Sequence, residues 1–180
     1  MHDNILYSPW RMKYIISEKS KSCIFCFDKT EKRTISNSKE DVNFEHSDED
    51  HLIVYRSKHV FVILNLYPYN NGHIMVVPNK HVKELSEMNK DELFDLIEVV
   101  QLSEKVIKNV YNPDGINIGM NLGKSAGAGI DEHLHVHILP RWSGDVNFMS
   151  SIMGTRVIPE DFSNTYHKIK EGFDNERPKK

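Results

Sequence analysis

The feature that most constrains this chain is a run of alternating histidines and aliphatic residues between His133 and Ile138. A period of two is typical of a half-buried β-strand, whose successive side chains point to opposite faces of the sheet. We therefore expect His133, His135 and His137 to share one face, with the aliphatic side chains in a core on the other. At a rise of ~3.3 Å per residue the outer two histidines lie ~13 Å apart, so one metal ion cannot bind all three. Two imidazoles are left for nucleophilic and proton-transfer chemistry.

A histidine-rich strand also has simpler interpretations. It is compatible with exposed polar residues, or with a two-histidine metal site that distant ligands complete. The flanking sequence disfavours both, because a glycine-rich loop (123–129) precedes the histidines and Pro140-Arg141-Trp142 follows them. The whole pattern is much more specific than a lone His-x-His pair.

The complete pattern resembles the histidine-triad (HIT) superfamily of nucleotidyl hydrolases and transferases. Within that superfamily, it is most similar to bacterial proteins related to diadenosine tetraphosphate phosphorylase. The resemblance covers roughly residues 7–170, which is most of the chain. It rests on the segments 133–142, Gly144-Asp145, Asn147-Phe148-Met149, Asn121-Leu122-Gly123, Asn65-Leu66-Tyr67-Pro68, Asn71-Gly72-His73 and Pro9-Trp10-Arg11-Met12.

The order of the sequence patterns predicts an α+β fold with an antiparallel sheet of about five strands. One long helix is predicted over residues 90–111, with Asn89 as its N-cap and an apolar stripe that covers one face of the sheet. The resemblance implies the HIT-like fold and adds a homodimer. The predicted strands are residues 52–55, 60–64, 73–77, 116–122 and the triad segment, and the predicted stripe is Leu93, Leu96, Ile97, Val100, Ile107 and Val110.

The length of 180 residues predicts a single domain, residues 1–180, with extensions at both ends. Residues 1–22 form an N-terminal arm with a short helix from Pro9, which either packs on the domain or carries Trp10 or Arg11 to a nucleotide. Residues 28–50 are almost entirely polar and are predicted to be a surface insertion. Residues 150–180 form a C-terminal helical extension whose helix starts near Pro159, with Phe162, Tyr166, Ile169 and Phe173 on its apolar face.

Composition excludes several classes of partner. The net charge of -3 and the pI near 6.4 give no basic field for nucleic acid or an anionic membrane surface. No apolar run reaches the length of a membrane span, and no signal-peptide core is present. The only two cysteines are three positions apart, which favours a reducing compartment. We therefore expect a cytoplasmic protein.

The Cys23-Ile24-Phe25-Cys26 segment has three competing interpretations. A thioredoxin-like redox pair is disfavoured because the usual Gly-Pro between the cysteines is absent. Two free thiols are possible, and a structural zinc site needs two more ligands. The resemblance implies that His81, after Pro78-Asn79-Lys80, and His133 supply them.

Several residues are candidates for binding a nucleotide. The resemblance implies that Asn65 contacts the ribose and that His73 belongs to the catalytic array, although His73 is equally compatible with a core histidine satisfied by backbone groups. A glycine-rich loop can turn backbone N–H groups toward an anion, and its side chains add donors. This chain lacks the Gly-Gln-Ser or Gly-Gln-Thr of better-known HIT branches. The predicted phosphate-binding residues are Asn121, Lys124, Ser125, Gly127, Ala128 and Gly129.

The sequence and the resemblance together predict cleavage of a dinucleoside polyphosphate at its α-phosphate. His135 is the expected nucleophile and forms a nucleotidyl-histidine intermediate, and His137 donates to phosphoryl or leaving-group oxygens. Zinc is expected as a structural ion, and no organic cofactor is expected. The alternatives are a purine nucleoside phosphoramidase and a non-catalytic, zinc-stabilised nucleotide-binding module. The missing glutamine favours phosphate over water as the acceptor.

Overall fold

The computed structural model describes residues 23–26, 47–145 and 160–176. The predicted N-terminal arm, with Trp10 and Arg11, lies outside the described residues. So do residues 28–46 of the predicted insertion and the Asn147-Phe148-Met149 motif. The predicted division of the chain into a domain with two extensions therefore stays a prediction.

Five antiparallel strands form one sheet, which confirms the predicted α+β architecture. The spatial order is β1-β2-β3-β5-β4, so β4 and β1 are the edge strands among the described residues. The strands are β1 (Ile53–Arg56), β2 (Val60–Leu64), β3 (Ile74–Pro78), β4 (Gly115–Gly119) and β5 (Val136–Arg141).

The triad segment enters the sheet later than the alternation predicted. β5 begins at Val136, so His133 and His135 lie in the segment that leads into it. The neighbouring strand β3 ends at Pro78, and a proline has no N–H to donate to the ladder. At this point Leu134 N–H donates instead to the Val82 carbonyl at 2.7 Å.

Two helices cover one face of the sheet. α1 (Lys90–Tyr111) has the predicted bounds, and a capping box starts it: the Asn89 side chain accepts from Glu92 N–H while the Glu92 carboxylate accepts from Asn89 N–H. Asn112, in the left-handed conformation, ends it. α2 (Phe162–Glu176) packs on α1 and β1, and it starts three residues later than predicted.

The predicted apolar stripes are wrong at two positions. Ile97 of α1 is 61% exposed because it lies about 100° around the helix from buried Leu96, beyond the face that meets the sheet. Phe162 is 39% exposed, at the first turn of α2. The side chains that α1 does bury are Leu96, Val99, Ser103, Val106 and Ile107.

The other face of the sheet carries a smaller apolar cluster, and this is the face of interest. Alternate residues of the strands point there, and Phe25 packs on them from the Cys-x-x-Cys segment. The buried members are Phe25, Ile53, Phe61, Ile63, Met75 and Val77. No helix in the described part of the chain has the length and apolarity needed to cross a membrane.

Candidate active site

Three histidines meet on the face of the sheet that the helices leave uncovered. His137 comes from β5, opposite Met75 of β3 and Gly119 of β4. His73 comes from the turn that precedes β3, and its ring centroid is 5.1 Å from that of His137. His135 lies 4.8 Å from His137 by the same measure. The structure thus brings together the three predicted catalytic residues, although His73 is only 2% exposed.

Hydrogen bonds determine which nitrogen of His73 and His137 carries the proton. Tyr69 N–H donates to His73 Nδ1 at 3.1 Å, so neutral His73 is protonated on Nε2. His73 Nε2 is 3.0 Å from His137 Nδ1, so His73 Nε2–H donates a hydrogen bond and His137 Nδ1 accepts it. His137 therefore keeps its own proton on Nε2, where it is a donor.

His135 is held in the opposite tautomer. Its Nδ1 is 2.8 Å from the backbone oxygen of His133, and a carbonyl oxygen can only accept. Nδ1 of His135 consequently carries the proton and Nε2 carries a lone pair. Two adjacent rings thus present a nucleophilic nitrogen and an N–H donor.

Burial keeps these rings uncharged at neutral pH. Burial, followed by the proximity of His137 and His135, lowers the pKa of His73 to about 3. Burial, followed by the proximity of His135, lowers the pKa of His137 to about 4. The pKa of His135 is also lowered by burial, while its hydrogen bond to the His133 backbone opposes the shift. A neutral imidazole is the form that has a lone pair to donate.

A second cluster lies next to the first. The ligand atoms of Cys23, Cys26, His81 and His133 all lie within 4.8 Å of one another. Cys23 Sγ is 3.3 Å from His133 Nδ1, and Cys26 Sγ is 3.2 Å from His81 Nδ1. His133 Nε2 donates to the Pro78 carbonyl at 2.9 Å, which leaves Nδ1 unprotonated and facing the cysteines. These four residues can hold a metal ion.

Phe25 connects the two clusters, and sequence reasoning missed it. The ring is 3% exposed and its centroid is 5.5 Å from those of both His133 and His135. Ile130, which follows the glycine-rich loop, packs against the apolar cluster to which Phe25 belongs. The Cys-x-x-Cys segment therefore supplies an aromatic wall beside His135. The only signal in the sequence was an apolar residue between the two cysteines.

Asn65 lies beside His73. Its Oδ1 accepts from Tyr67 N–H at 2.9 Å, and its Nδ2 is 3.3 Å from His73 Nδ1. These bonds fix the amide at the rim of the histidine cluster. Its contact with a ribose remains a prediction.

The glycine-rich loop is exposed and is partly folded on itself. Residues Lys124–Ala126 form a 3-10 turn, in which the N–H of Gly127 donates to the Lys124 carbonyl at 3.0 Å. One N–H group that was expected to face an anion is thus used within the loop. Lys124 Nζ lies 3.5 Å from Asp131, and its side chain is 82% exposed. Phosphate binding by Asn121, Lys124, Ser125, Gly127, Ala128 and Gly129 stays a prediction.

A five-stranded antiparallel sheet with this histidine arrangement on its open face is the architecture of the histidine-triad class. The HIT domain model matches residues 46–144, more than half of the 180 residues, so the chain belongs to the HIT family.

Three known proteins illustrate what this chain is similar to. A protein of Mycobacterium tuberculosis named AP-4-A phosphorylase is 53% identical over 114 residues, which are 63% of this chain and 58% of that protein. A bis(5'-nucleosyl)-tetraphosphatase (asymmetrical) of Schizosaccharomyces pombe is 37% identical over 93 residues, 52% of this chain and 50% of that one. The matches span less than two thirds of either relative. The crystal structure of a hypothetical histidine triad nucleotide-binding protein from Sulfolobus tokodaii is 35% identical, with a TM-score of 0.58 over 69% of this chain and 84% of the other.

Proposed function

We propose that the protein cleaves dinucleoside polyphosphates at an α-phosphorus through a nucleotidyl-His135 intermediate. The observation that carries this proposal is the pair of opposed tautomers: His135 offers a lone pair at Nε2, and His137 beside it offers an N–H. A module that only bound nucleotides would not require an imidazole held in the nucleophilic form. The names of the mycobacterial and fission-yeast relatives support the substrate class.

The first step transfers the nucleotidyl group to the protein. The Nε2 lone pair of His135 attacks the α-phosphorus, and the bond from that phosphorus to the bridging oxygen of the leaving polyphosphate breaks. His137 Nε2–H donates a hydrogen bond to that oxygen, which stabilises the polyphosphate as it leaves as an anion, while the His73 hydrogen bond holds the His137 ring in place. The His133 carbonyl stabilises the positive charge that His135 acquires in the adduct, because it accepts from Nδ1–H.

The second step returns the histidines to their starting state. An anionic oxygen of the acceptor attacks the same phosphorus, the bond to His135 breaks, and its electron pair returns to His135 Nε2. His137 Nε2–H again donates to the phosphoryl oxygens. We propose inorganic phosphate as the acceptor, so that diadenosine tetraphosphate yields ADP and ATP. The 53% identity to AP-4-A phosphorylase supports this choice. Ala128, which has no amide to orient a water molecule, supports it too.

Zinc is the metal that we propose for the Cys23, Cys26, His81 and His133 cluster. Two thiolates and two imidazoles match the four ligands of a tetrahedral structural zinc site. Such an ion would fix the Cys-x-x-Cys segment, and with it Phe25, against the sheet. Two closely spaced cysteines that bind zinc as thiolates also fit the cytoplasmic location that we propose.

We also propose a homodimer that forms through β4. This edge strand is almost fully exposed, and Ile118 on it is 45% exposed. Phe94 and Ile97 of α1 add exposed apolar area, at 66% and 61%. An apolar edge strand is a template for pairing with a second strand, and two copies related by a two-fold axis satisfy both edges at once.

A substrate panel tests the proposed activity. Purified protein is incubated with diadenosine tetraphosphate or with an adenosine phosphoramidate, and the products are separated by chromatography. We expect release from the dinucleotide by the wild type and none by His135→Ala. Release from the phosphoramidate alone would make the protein a phosphoramidase, and binding without release from either would make it a nucleotide-binding module.

A further inference from the structure

The turn that precedes His73 is anchored to the end of β5 by side chains that the proposed mechanism does not use. Asn70 Nδ2 donates to Asp145 Oδ2 at 3.0 Å and to the Pro140 carbonyl at 3.3 Å. Arg141 fixes Asp145 in turn, since its Nε and Nη2 donate to the two carboxylate oxygens at 2.6 and 3.0 Å. The side chain of Asp145 is 7% exposed, so these charge-assisted bonds are largely shielded from water.

The network continues across the sheet. Arg141 Nη1 donates to Asn117 Oδ1 of β4 at 2.9 Å, which ties the guanidinium to the neighbouring strand. A guanidinium presents its donors in one rigid plane, so an arginine held at three points has little freedom. Asp145 therefore holds the Asn70 side chain in a fixed position relative to β5, the strand that carries His137.

The same turn is held on its other side by α1. Gly72 has a φ of +72°, and a Cβ at this position would lie 2.7 Å from Tyr111 Cε2. The Tyr111 ring is itself fixed, because its hydroxyl donates to Glu160 at 2.7 Å and its ring meets Trp142 edge to face at 6.3 Å. The backbone between the two anchors thus has a fixed course.

The backbone that these anchors hold carries the hydrogen bond that sets the histidine tautomers. Tyr69 N–H donates to His73 Nδ1, and the next residue in the chain is Asn70. A shift of the turn by about 1 Å would break this bond, and misplacement on that scale can lower a rate by about a hundredfold. Without it, His73 Nδ1 keeps only the longer contact from Asn65 Nδ2, at 3.3 Å, and the tautomer of His73 is less strongly set.

We propose that Asn70, Asp145 and Arg141 are positioning residues that hold the Tyr69–Gly72 turn, so that Tyr69 N–H keeps His73 in the tautomer that donates to His137. Through His73 the network also keeps the proton of His137 on Nε2. The expected effect on turnover rests on the proposed function, whereas the expected effect on the His73 tautomer does not depend on it.

Two variants and one control test this inference. Asn70→Ala removes the link between the turn and Asp145, and Asp145→Asn retains the shape of the side chain but loses its charge. Asp114→Asn is the matched control, because Asp114 accepts from Ser143 N–H at 2.6 Å in the same region without contact to the turn. Circular dichroism establishes that each variant is folded, and the near-isosteric Asp145→Asn keeps the test valid if Asn70→Ala does not fold.

The first readout is ¹⁵N NMR of the histidine rings, with His73 assigned by comparison with His73→Gln. We expect one tautomer of His73 in the wild type and in the control, and a mixture in both variants. The second readout is turnover of diadenosine tetraphosphate, for which we expect kcat to fall on the order of tenfold with KM within about twofold. In the His73→Gln background, Asn70→Ala should have no further effect on kcat.

Three results would each overturn the inference. They are an unchanged His73 tautomer in both variants, an equal loss of turnover in the control, and an undiminished effect of Asn70→Ala on kcat in the His73→Gln background. A wild-type protein that cleaves no dinucleotide would refute the proposed function instead. The ring spectra would then decide on the positioning network alone.

Discussion

The backbone oxygen of His133 accepts a hydrogen bond from Nδ1 of His135 at 2.8 Å, while the His133 ring faces two cysteines. One residue thus contributes its imidazole to the candidate metal centre and its carbonyl to the proposed nucleophile. The two roles do not compete, because the metal-facing atom is Nδ1 of the ring and the catalytic contact is made by the main chain. Substitutions of the metal ligands and of the proposed nucleophile should therefore have different effects.

Replacing the nucleophile should abolish turnover and spare binding. We expect His135→Ala to lower kcat by roughly a thousandfold or more and to change nucleotide affinity by less than about tenfold. The reason is that the bond to phosphorus exists in the transition state and not in the bound substrate. Single-turnover kinetics and calorimetric titration with a non-cleavable analogue measure the two quantities. His167→Ala, on the exposed face of α2, is the control, and wild-type turnover by His135→Ala would reject the assignment.

The acceptor is decided by the identity of the products. At saturating inorganic phosphate, diadenosine tetraphosphate should yield ADP and ATP, because phosphate resolves the nucleotidyl-His135 adduct. Chromatography with a phosphate titration measures this, and ADP should rise in proportion to phosphate before it saturates. If AMP and ATP remain the products at every phosphate concentration, the protein is a hydrolase.

The proposed zinc site predicts a stability effect that is larger than the activity effect. Purified protein should carry about one zinc per chain, and Cys23→Ser should lower Tm on the order of 10 °C through the loss of one ligand. Activity per folded molecule should fall less, because the catalytic contact of His133 uses its backbone. Metal analysis and thermal denaturation measure these quantities. Ser47→Ala, which lies outside the cluster, serves as the control, and protein that contains no zinc after chelator-free purification would refute the claim.

The low pKa values of the buried histidines predict a loss of stability in mild acid. In the unfolded chain histidine takes up a proton near pH 6.5, whereas folded His137 does so near pH 4 and folded His73 near pH 3. Between these limits the unfolded state binds more protons, so the free energy of unfolding falls as the pH falls from 6.5 toward 4.

Urea denaturation at pH 7.5 and pH 5.5 measures this dependence. His137→Gln should lose less stability between the two pH values than the wild type, at equal metal content. His167→Gln, at an exposed position of α2 outside the site, is the matched control. Equal pH dependence in His137→Gln and the wild type would contradict a lowered pKa at His137.

The proposed dimer predicts that a charge on the edge strand gives monomers. Ile118→Lys should halve the mass measured by light scattering, because the dimer would have to bury an unpaired ammonium in its apolar interface. Phe162→Lys, at an exposed apolar position of α2, should leave the mass unchanged. A wild type that is monomeric at micromolar concentration would remove this proposal.

Local sequence signals were enough to predict much of the fold. The bounds of α1 follow from the Asn89 and Glu92 capping box and from Asn112-Pro113 at the other end, all of which act within a few residues. The continuous apolar run of β2 likewise predicted its strand with the correct bounds. The prediction that Ile97 is buried was wrong because helical spacing defines the position of an apolar stripe but not its width. The width depends on how closely the sheet approaches the helix.

The candidate catalytic residues were recognisable as a motif, but the contacts that hold them in place were not. Asn70 and Asp145 are 75 residues apart and meet only because β3 pairs with β5. The bond from Tyr69 to His73 is donated by a backbone N–H, which the identity of the residue does not reveal. Phe25 reaches His135 because the Cys-x-x-Cys segment packs on this face of the sheet, a placement that no local pattern encodes.

The close approach of Gly72 to the Tyr111 ring has an evolutionary consequence. Any other residue at position 72 would meet both an unfavourable φ of +72° and a ring atom 2.7 Å from its Cβ. A saturation-mutagenesis survey should therefore find position 72 nearly as intolerant as the nucleophile, although glycine takes no part in the chemistry. A lineage that replaced this glycine would also need a smaller residue at position 111, so the two positions should covary among homologues.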